Sequence, residues 1–195
     1  MNKVYTDKSI DELKIWLKDN LDEERYKHSL GVMEEACNLA KKYNLNVEKA
    51  RLAGLLHDCA KCFSKELLYE IIEKNIPEVG TCELLNYKTL HAPVSAWIAM
   101  NQFNVKDSEI LNAIRVHTIG KVDMSDFDKI IFLSDKIEPN TRDLKFRESI
   151  YDLLDNTDDG LNQAMLVCFK LTIKSLVDRN LKICSQTIDV YNSLL

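Results

Sequence analysis

Four histidines and two aspartates form the pattern in this sequence with the clearest chemical meaning. The chain contains only four histidines among its 195 residues. With the two aspartates they run in the order His28, His57, Asp58, His91, His117 and Asp135. Imidazole nitrogen and carboxylate oxygen together suit Fe, Mn or Zn rather than Ca, which binds oxygen atoms. The pattern therefore predicts a metal site; the alternative is that each histidine is a separately packed or exposed residue.

Three parts of this pattern lie at the end of an apolar run. His57 and Asp58 follow the apolar residues 52–56, His117 follows residues 110–116, and Asp135 follows residues 130–134. An unpaired aspartate at the end of a buried element would cost several kcal/mol, so Asp58 needs a cation nearby. A divalent metal meets this need. The alternatives are that Asp58 caps the helix or pairs with Lys61.

The sequence excludes one familiar type of helical metal site. A ferritin-like di-iron centre requires Glu-x-x-His pairs. The residues three positions before the histidines are Arg25, Gly54, Lys88 and Ile114. Because none of these is a glutamate, the di-iron interpretation fails. The better interpretation is a metal site whose ligands face the interior of a helical bundle, each at the end of an apolar run.

Helical periodicity dominates the segments that must position these residues. Short polar residues that can cap a helix precede the amphipathic segments: Ser9, Asp22, Asn46, Ser64, Asp107 or Ser108, and Ser125. Ser9 and Glu12 have the spacing of a capping box. His91 lies just before Pro93, which is typical of a helix start. The predicted helices cover about residues 10–20, 22–40, 47–61, 64–76, 91–103, 110–117 and 126–137.

The remaining segments complete an all-α prediction. Residues 80–90 lack periodicity, which predicts a loop with at most one short helix. From Phe146 to Leu195 the pattern predicts a short helix and two longer ones, with a break near Asn180. No internal repeat or linker divides the chain. We therefore expect one all-α domain over residues 1–195, with about nine or ten helices.

Composition and charge narrow the classes of function. The apolar fraction of 46% and the charged fraction of 29% are typical of a globular protein. Only five glycines and three prolines leave little material for the turns of an all-β fold. The net charge of −5 and the lack of a basic run argue against long nucleic acid as a partner. A small anionic ligand held by a metal and local cations remains compatible with this charge.

The N-terminus and the cysteines lead to expectations about location. The first seven residues lack the apolar core of a signal peptide, and no stretch approaches the ~18 consecutive apolar residues of a membrane span. We therefore expect a cytoplasmic protein, no membrane partner, and six cysteines that stay reduced. Cys59 and Cys62 form a C-x-x-C pair. Since no second such pair exists, we interpret them as structural or incidental rather than as a redox or zinc site.

Four segments of the sequence resemble the motifs of one known family. These segments are Arg25–Leu30, Gly54–Lys61, His91–Ala96 and Asp135–Arg142. In this order they resemble the HD-domain superfamily of metal-dependent phosphohydrolases. Within it they resemble the YqeK-like bacterial proteins, which are symmetrical diadenosine tetraphosphate hydrolases. The resemblance covers a metal-site core of about residues 24–142, followed by a helical tail over residues 146–195.

The resemblance implies roles for individual residues. The implied metal ligands are His28, His57, Asp58 and Asp135. His91 and His117 correspond to positions that either hold a second metal or contact phosphate, and spacing does not separate these roles. The cations expected to bind the polyphosphate are Lys61, Arg25 and Arg142. Iron is the metal that the resemblance favours, although a site of nitrogen and oxygen ligands also accepts manganese or other divalent ions.

The implied reaction is the hydrolysis of a phosphoanhydride bond. A metal-bound hydroxide would cleave the dinucleoside polyphosphate diadenosine tetraphosphate symmetrically into two ADP. The residues implied in catalysis are Asp58, Lys61, His91 and His117. Asp58 is suited to orient the nucleophile and Lys61 to neutralise charge on the phosphoryl oxygens. His117 and His91 are both candidates to protonate the leaving diphosphate.

Two other functions and one question of assembly remain open at this point. The same ligands serve other HD-type nucleotidases and phosphodiesterases that act on small nucleotides. A non-catalytic HD module that binds nucleotide or metal is the alternative from another class, and loss of a core ligand would favour it. The tail contains four apolar residues that could form a homodimer face or belong to the core. These are Leu161, Met165, Val167 and Phe169.

Overall fold

Ten α-helices form the fold in the computed structural model, which describes residues 5–195. They are α1 (Ile10–Asn20), α2 (Glu23–Lys42), α3 (Val47–Leu56), α4 (Lys65–Asn75), α5 (His91–Asn101), α6 (Ser108–Val116), α7 (Asp126–Ile137), α8 (Leu144–Asn156), α9 (Gly160–Asp178) and α10 (Ser185–Ser193). Two short 3-10 turns, Glu83–Leu85 and Tyr87–Thr89, lie between α4 and α5. Residues 5–195 contain no β-strand. The all-α prediction of nine or ten helices is therefore confirmed.

The helices begin where the local capping chemistry predicts. At α1 the Ser9 hydroxyl accepts from the Glu12 backbone N–H at 3.2 Å, and the Glu12 carboxylate accepts from the Ser9 N–H at 2.7 Å. The same reciprocal arrangement joins Ser125 and Asp128 at the start of α7. Asp107, rather than Ser108, caps α6. Each cap satisfies backbone donors that the first turn of a helix leaves unpaired.

A close approach of two helices forms the centre of the bundle. Helix α2 packs most extensively against α3 and α7, while α6 lies against α3, α5 and α7. A Cβ atom at Gly54 would lie 2.9 Å from the Val32 carbonyl oxygen and 3.0 Å from the Met33 Cα. Because a side chain at position 54 would meet backbone, glycine is what permits this contact between α2 and α3. The contact brings the segments with His28 and His57 together.

Helix α3 is shorter than the periodicity predicts, and this is a correction. It ends at Leu56 rather than near Lys61, so His57 and Asp58 lie in the turn that follows. The tertiary structure provides the reason. The Ala60 N–H donates to the Ser95 hydroxyl of α5 at 3.0 Å instead of to the Leu56 carbonyl. The turn directs the side chains of both His57 and Asp58 towards the same interior point. In a continued α-helix these two adjacent side chains would point in different directions.

The C-terminal helices differ from the predicted lengths. The structure has helices of 13, 19 and 9 residues, so the last one is the shortest. The predicted break near Asn180 is confirmed, since Asn180 has a φ of 52° and ends the segment after α9. Three of the four apolar tail residues named above are buried, and Phe169 stacks on Phe132 with ring centroids 4.9 Å apart. These residues therefore belong to the core.

The cysteines require a second correction. Cys82 and Cys184 form a disulfide with Cα atoms 5.2 Å apart, so the prediction that all six cysteines stay reduced is wrong for this pair. The bond joins the segment before α5 to the start of α10. The two residues are separated by 102 positions, and their proximity arises only from the fold. Cys37, Cys59, Cys62 and Cys168 are free. Within residues 5–195 no helix is both long enough and apolar enough to span a bilayer.

Candidate metal centre

Six side chains from five different parts of the fold converge on one buried point. His28 lies in the second turn of α2, His57 and Asp58 follow α3, and His91 is the first residue of α5. His117 follows the last residue of α6, and Asp135 lies in the last turn of α7. All six are buried. The structure thus brings together every residue that the sequence pattern placed at the metal site.

The four imidazole rings are held so that the same atom of each faces this point. In three rings the Nδ1–H donates to the carbonyl oxygen of the residue three positions earlier: His57 to Gly54 at 2.8 Å, His91 to Lys88 at 2.7 Å and His117 to Ile114 at 2.7 Å. In the fourth, His28 Nδ1–H donates to Glu138 Oε1 at 3.1 Å. Because these acceptors fix the hydrogen on Nδ1, each Nε2 is directed inwards.

Asp58 lies between two pairs of histidines. Its Oδ2 atom is 3.8 Å from His28 Nε2 and 3.7 Å from His57 Nε2, two nitrogens that are 3.2 Å apart. Its Oδ1 atom is 2.9 Å from His91 Nε2 and 3.3 Å from His117 Nε2, which are also 3.2 Å apart. Each pair with Asp58 forms a group whose ligand atoms lie within 4.8 Å of one another. Asp58 is therefore shared by two possible metal sites.

Asp135 extends the first of these groups. Its Oδ1 atom is 3.0 Å from His28 Nε2 and 3.9 Å from His57 Nε2. The first group can therefore offer two nitrogens and two carboxylates, while the second offers two nitrogens and Asp58. Three or four ligands of this kind, with room for water, are typical of catalytic sites for divalent transition metals.

The chemistry of the ligand atoms fits a bound cation. Asp58 Oδ1 is buried and accepts no hydrogen bond from any residue that the structure describes. Its near neighbours His91 and His117 present Nε2 atoms, whose hydrogens are fixed on the other side of each ring. A buried carboxylate oxygen that faces nitrogen lone pairs costs free energy unless cations lie near it. Lys61 Nζ, 3.5 Å away, supplies one positive charge, and a divalent ion among the nitrogens would supply more. The residues present therefore suit a divalent ion.

The ionisation of the ligands also favours metal binding. Burial lowers the pKa of His57 to about 3 and that of His91 to about 4. Burial alone would raise the pKa of Asp58, but the nearby histidines and Lys61 hold it well below its ordinary value. Burial also opposes protonation of His28, yet hydrogen bonds with Asp135 and Glu138 outweigh it and raise the pKa. A metal at His28 would replace the proton on Nε2.

The metal-free protein is expected to lose stability as the pH falls from about 6.5 towards about 4. In the unfolded chain histidine takes up a proton near pH 6.5, whereas folded His57 and His91 have pKa values of about 3 and about 4. Each contributes stability that is present above the unfolded pKa and is lost as pH falls, at about 1.4 kcal/mol per pH unit. His28 has a raised pKa, so its contribution to stability grows as the pH falls to about 6.5 and stays constant at lower pH, where the ring is protonated in both states.

Urea unfolding of chelator-treated protein between about pH 7 and about pH 4.5 measures this effect. We expect the unfolding midpoint to move to lower urea as the pH falls, with little change in the slope. A midpoint that is constant over the range would show that the two histidines are not buried in neutral form.

Three cations lie at the edge of the ligand cluster. Lys61 Nζ is 3.1 Å from His91 Nε2 and 3.5 Å from Asp58 Oδ1. Asp58 therefore pairs with Lys61 as well as contacting the histidines. Arg25 Nη1 is 3.7 Å from Asp58 Oδ2. Arg142 donates from Nη2 to Asp135 Oδ1 at 2.9 Å and from Nε to the Asp135 carbonyl at 2.8 Å. All three are partly exposed, and Arg142 also holds Asp135 in place.

The sequence analysis missed one residue behind the ligands. Glu138 is fully buried and accepts from His28 Nδ1–H, from the Asn140 N–H at 2.6 Å and from the Thr141 N–H at 3.0 Å. A Cβ at Gly31 would lie 2.2 Å from Glu138 Oε2, so glycine there makes room for the carboxylate. The signal available in the sequence was the spacing of three from Asp135, which places both residues on one side of the chain.

A cavity of about 510 Å³ opens beside the second group of ligands. Three basic side chains and His91 line part of it: Arg25, Lys61, Lys88 and His91. Phe63, Leu68 and Tyr87 form an apolar part of the wall. The cavity therefore combines positive charge next to the ligands with an apolar surface farther from them. This combination suits a small anionic ligand that also has an apolar part.

Comparisons with known proteins identify the family of this chain. The HD-domain family model matches residues 25–140. The "Bis(5'-nucleosyl)-tetraphosphatase, symmetrical" of Halalkalibacterium halodurans is 36% identical over 181 residues, which are 92% of this chain and 93% of that protein. The protein of the same name from Staphylococcus aureus is 35% identical over 94% of this chain and 93% of its own.

A solved structure agrees with the fold. The crystal structure of a predicted HD superfamily hydrolase involved in NAD metabolism from Clostridium acetobutylicum superposes with a TM-score of 0.89. It is 40% identical in sequence and covers 96% of this chain and 97% of that one. The chain therefore belongs to the HD-domain family and, within it, to the group of symmetrical bis(5'-nucleosyl)-tetraphosphatases.

Proposed function

We propose that this protein is a metal-dependent hydrolase that cleaves diadenosine tetraphosphate symmetrically into two ADP. The single observation that carries the proposal is the convergence of four Nε2 atoms on the shared carboxylate of Asp58, next to a cavity lined by cations. The names of the relatives from Halalkalibacterium halodurans and Staphylococcus aureus support the same substrate. The negative charge of a tetraphosphate matches the three basic side chains of the cavity.

The residues that would hold a divalent ion are His28, His57, Asp58 and Asp135. Such an ion neutralises charge on the phosphate and makes a water molecule more acidic. Iron is the metal that we favour, and manganese or another divalent ion is compatible with the same nitrogen and oxygen ligands. His91 and His117 with Asp58 form the place for a second ion if two are bound.

The chain's own residues position the reactants. Asp58 can orient the attacking water, since its two oxygens face both groups of histidines. Water adds its oxygen to phosphorus, and the bridging oxygen leaves with the departing ADP. Lys61 and Arg25 lie within 4 Å of Asp58 and can neutralise charge that develops on the phosphoryl oxygens. Arg142 supports the same region through Asp135 and leaves its Nη1 atom available for phosphate.

Protonation of the leaving ADP requires an acid next to the bridging oxygen. His91 and His117 are the candidates because their Nε2 atoms face the cluster beside Lys61. Burial lowers the pKa of His91 to about 4, which makes it a poor acid at neutral pH. His117 is the other candidate, and its Nε2 atom, which lies 3.3 Å from Asp58 Oδ1, would have to carry the proton that passes to the bridging oxygen.

The ligand set favours an enzyme over a non-catalytic module. All four ligands of the HD core are present and buried, and His28 and His57 each lie within 4 Å of both Asp58 and Asp135. The alternative of another nucleotidase or phosphodiesterase uses the same ligands. It differs in the product, which can be measured directly.

Product analysis tests the proposal. Purified protein is incubated without oxygen with Fe²⁺ or Mn²⁺ and diadenosine tetraphosphate, and the products are separated by ion-exchange chromatography. We expect ADP as the only product and no turnover after treatment with a chelator. Formation of ATP with AMP would refute symmetrical cleavage, and turnover of mononucleotides alone would refute the substrate.

A further inference from the structure

A second cavity lies close to the metal ligand Asp135, whose partner Lys136 lines it. It has a volume of about 390 Å³ and is formed by the end of α7, the start of α8 and the second half of α9. Lys136, Phe146, Leu171 and Leu176 line it. It shares no lining residue with the first cavity of about 510 Å³. The first cavity is next to Asp58 and His91, whereas the second is next to Asp135.

Lys136 connects the second cavity to the metal centre. Its Nζ atom is 2.7 Å from Asp135 Oδ2, on the carboxylate that contacts His28. Burial raises the pKa of the Cys168 thiol in the cavity wall to about 12, and the charges of Lys136 and Asp135 also act on this thiol. Lys61, which lines the first cavity, has its Nζ atom 3.5 Å from Asp58 Oδ1. The two cavities therefore flank one electrostatic centre, each with a lysine at its inner end.

The lining of the second cavity has the chemistry of a nucleoside site. Leu171 is 46% exposed although it is apolar, and Phe146 offers an aromatic ring nearby. Thr172 and Ser175 also line the cavity, and neither hydroxyl makes a side-chain hydrogen bond in the part of the chain that the structure describes. A base can pack on the apolar surface, and ribose hydroxyls can bond with the free side-chain hydroxyls. Lys136 supplies a positive charge in the cavity wall for phosphates attached to a nucleoside.

We propose that the second cavity binds the second adenosine of a dinucleoside tetraphosphate. This inference rests on the proposed function, since it assumes that the central phosphoanhydride bond reacts at the metal ligands. When the central bond lies at the ligands, two equal halves must extend from it in different directions. The first cavity accepts one ADP half beside Lys61, and the second accepts the other half beside Lys136. Recognition of both ends explains how the enzyme would place the middle of the chain, rather than another bond, at the reacting point.

Two substitutions on α9 provide a matched test. Leu171 lines the second cavity, whereas Val177 is equally apolar, is 58% exposed and lies outside it. Neither side chain is part of the core, so Leu171→Glu and Val177→Glu are both expected to fold. In Leu171→Glu the KM for diadenosine tetraphosphate is expected to rise about 10-fold, because stacking of one base contributes that much or more. The value of kcat should change little, since this contact is made equally in the ground state and the transition state.

A ligand with only one nucleoside separates this effect from damage to the active site. Adenosine 5'-tetraphosphate can bind through the first cavity alone, so its inhibition constant against diadenosine tetraphosphate cleavage should stay within about twofold in Leu171→Glu. Val177→Glu should leave both constants unchanged. Equal effects of the two substitutions, no change in KM, or a parallel rise in the inhibition constant would overturn the second site. Failure of the unaltered protein to form two ADP would instead overturn the proposed function.

Discussion

Replacing Asp58 with alanine is expected to abolish both metal retention and hydrolysis. Asp58 is the only carboxylate that belongs to both groups of ligands, and its two oxygens face four histidine nitrogens. Its removal leaves the second group with no carboxylate and the first group with Asp135 alone. A metal ion supplies several kcal/mol of transition-state stabilisation. At ~1.4 kcal/mol per tenfold, turnover should fall by about 1,000-fold or more.

Metal content per folded molecule and turnover are measured together for this variant. Asp58→Asn keeps the shape of the side chain but lacks the charge, so it should lose metal as well. Asp128→Asn is the matched control, because Asp128 is a buried aspartate in α7 that bonds to Asn112 rather than to the metal cluster. We expect this control to lower thermal stability and to retain metal. Survival of activity in Asp58→Ala would show that the metal site is assigned to the wrong residues.

Replacing Glu138 with alanine is expected to weaken metal binding by about 10- to 100-fold. Glu138 accepts from His28 Nδ1–H and so keeps Nε2 free and directed at the ligand cluster. Without this acceptor the ring can rotate, and its buried Nδ1–H is left unpaired. The loss should be in metal affinity first, with kcat close to normal when metal is saturating. Competition with a coloured chelator measures the affinity.

The controls for Glu138 separate its action on His28 from general stability. Glu138→Gln keeps an oxygen that His28 Nδ1–H can reach, so it should recover much of the affinity. Glu35 is another buried glutamate, in α2, and it bonds with Tyr151 near Arg147. Glu35→Gln should lower stability and leave metal affinity unchanged. An affinity in Glu138→Ala equal to that of the unaltered protein would show that His28 needs no such support.

Much of the fold follows from local chemistry in the sequence. The capping residues Ser9, Asp107 and Ser125 mark helix starts because their side chains bond to backbone groups only two or three residues away. The convergence of the metal ligands was predictable for a related reason. A polar residue at the end of an apolar run must lie at the end of a buried element, and few partners are available there.

Features that depend on distant residues could not be predicted in this way. Helix α3 ends at Leu56 because the Ala60 N–H donates to the Ser95 hydroxyl. This hydrogen bond forms only because α5 packs against this turn. The bond of His28 to Glu138 spans 110 positions, and the Cys82–Cys184 disulfide spans 102. The second cavity requires parts of three helices, α7, α8 and α9, to meet. Local spacing contains no information about any of these distances.

The way in which the four rings are anchored has a consequence for how the centre assembles. His57, His91 and His117 are aimed by a carbonyl three residues earlier, so each ring can acquire its orientation as soon as its own turn forms. His28 acquires its orientation only when the end of α7 docks against α2. The complete ligand set therefore exists only in the native state. A ligand that binds only the native state shifts the folding equilibrium towards that state by mass action. A bound metal ion would therefore raise the free energy of unfolding and stabilise the contact between α2 and α7.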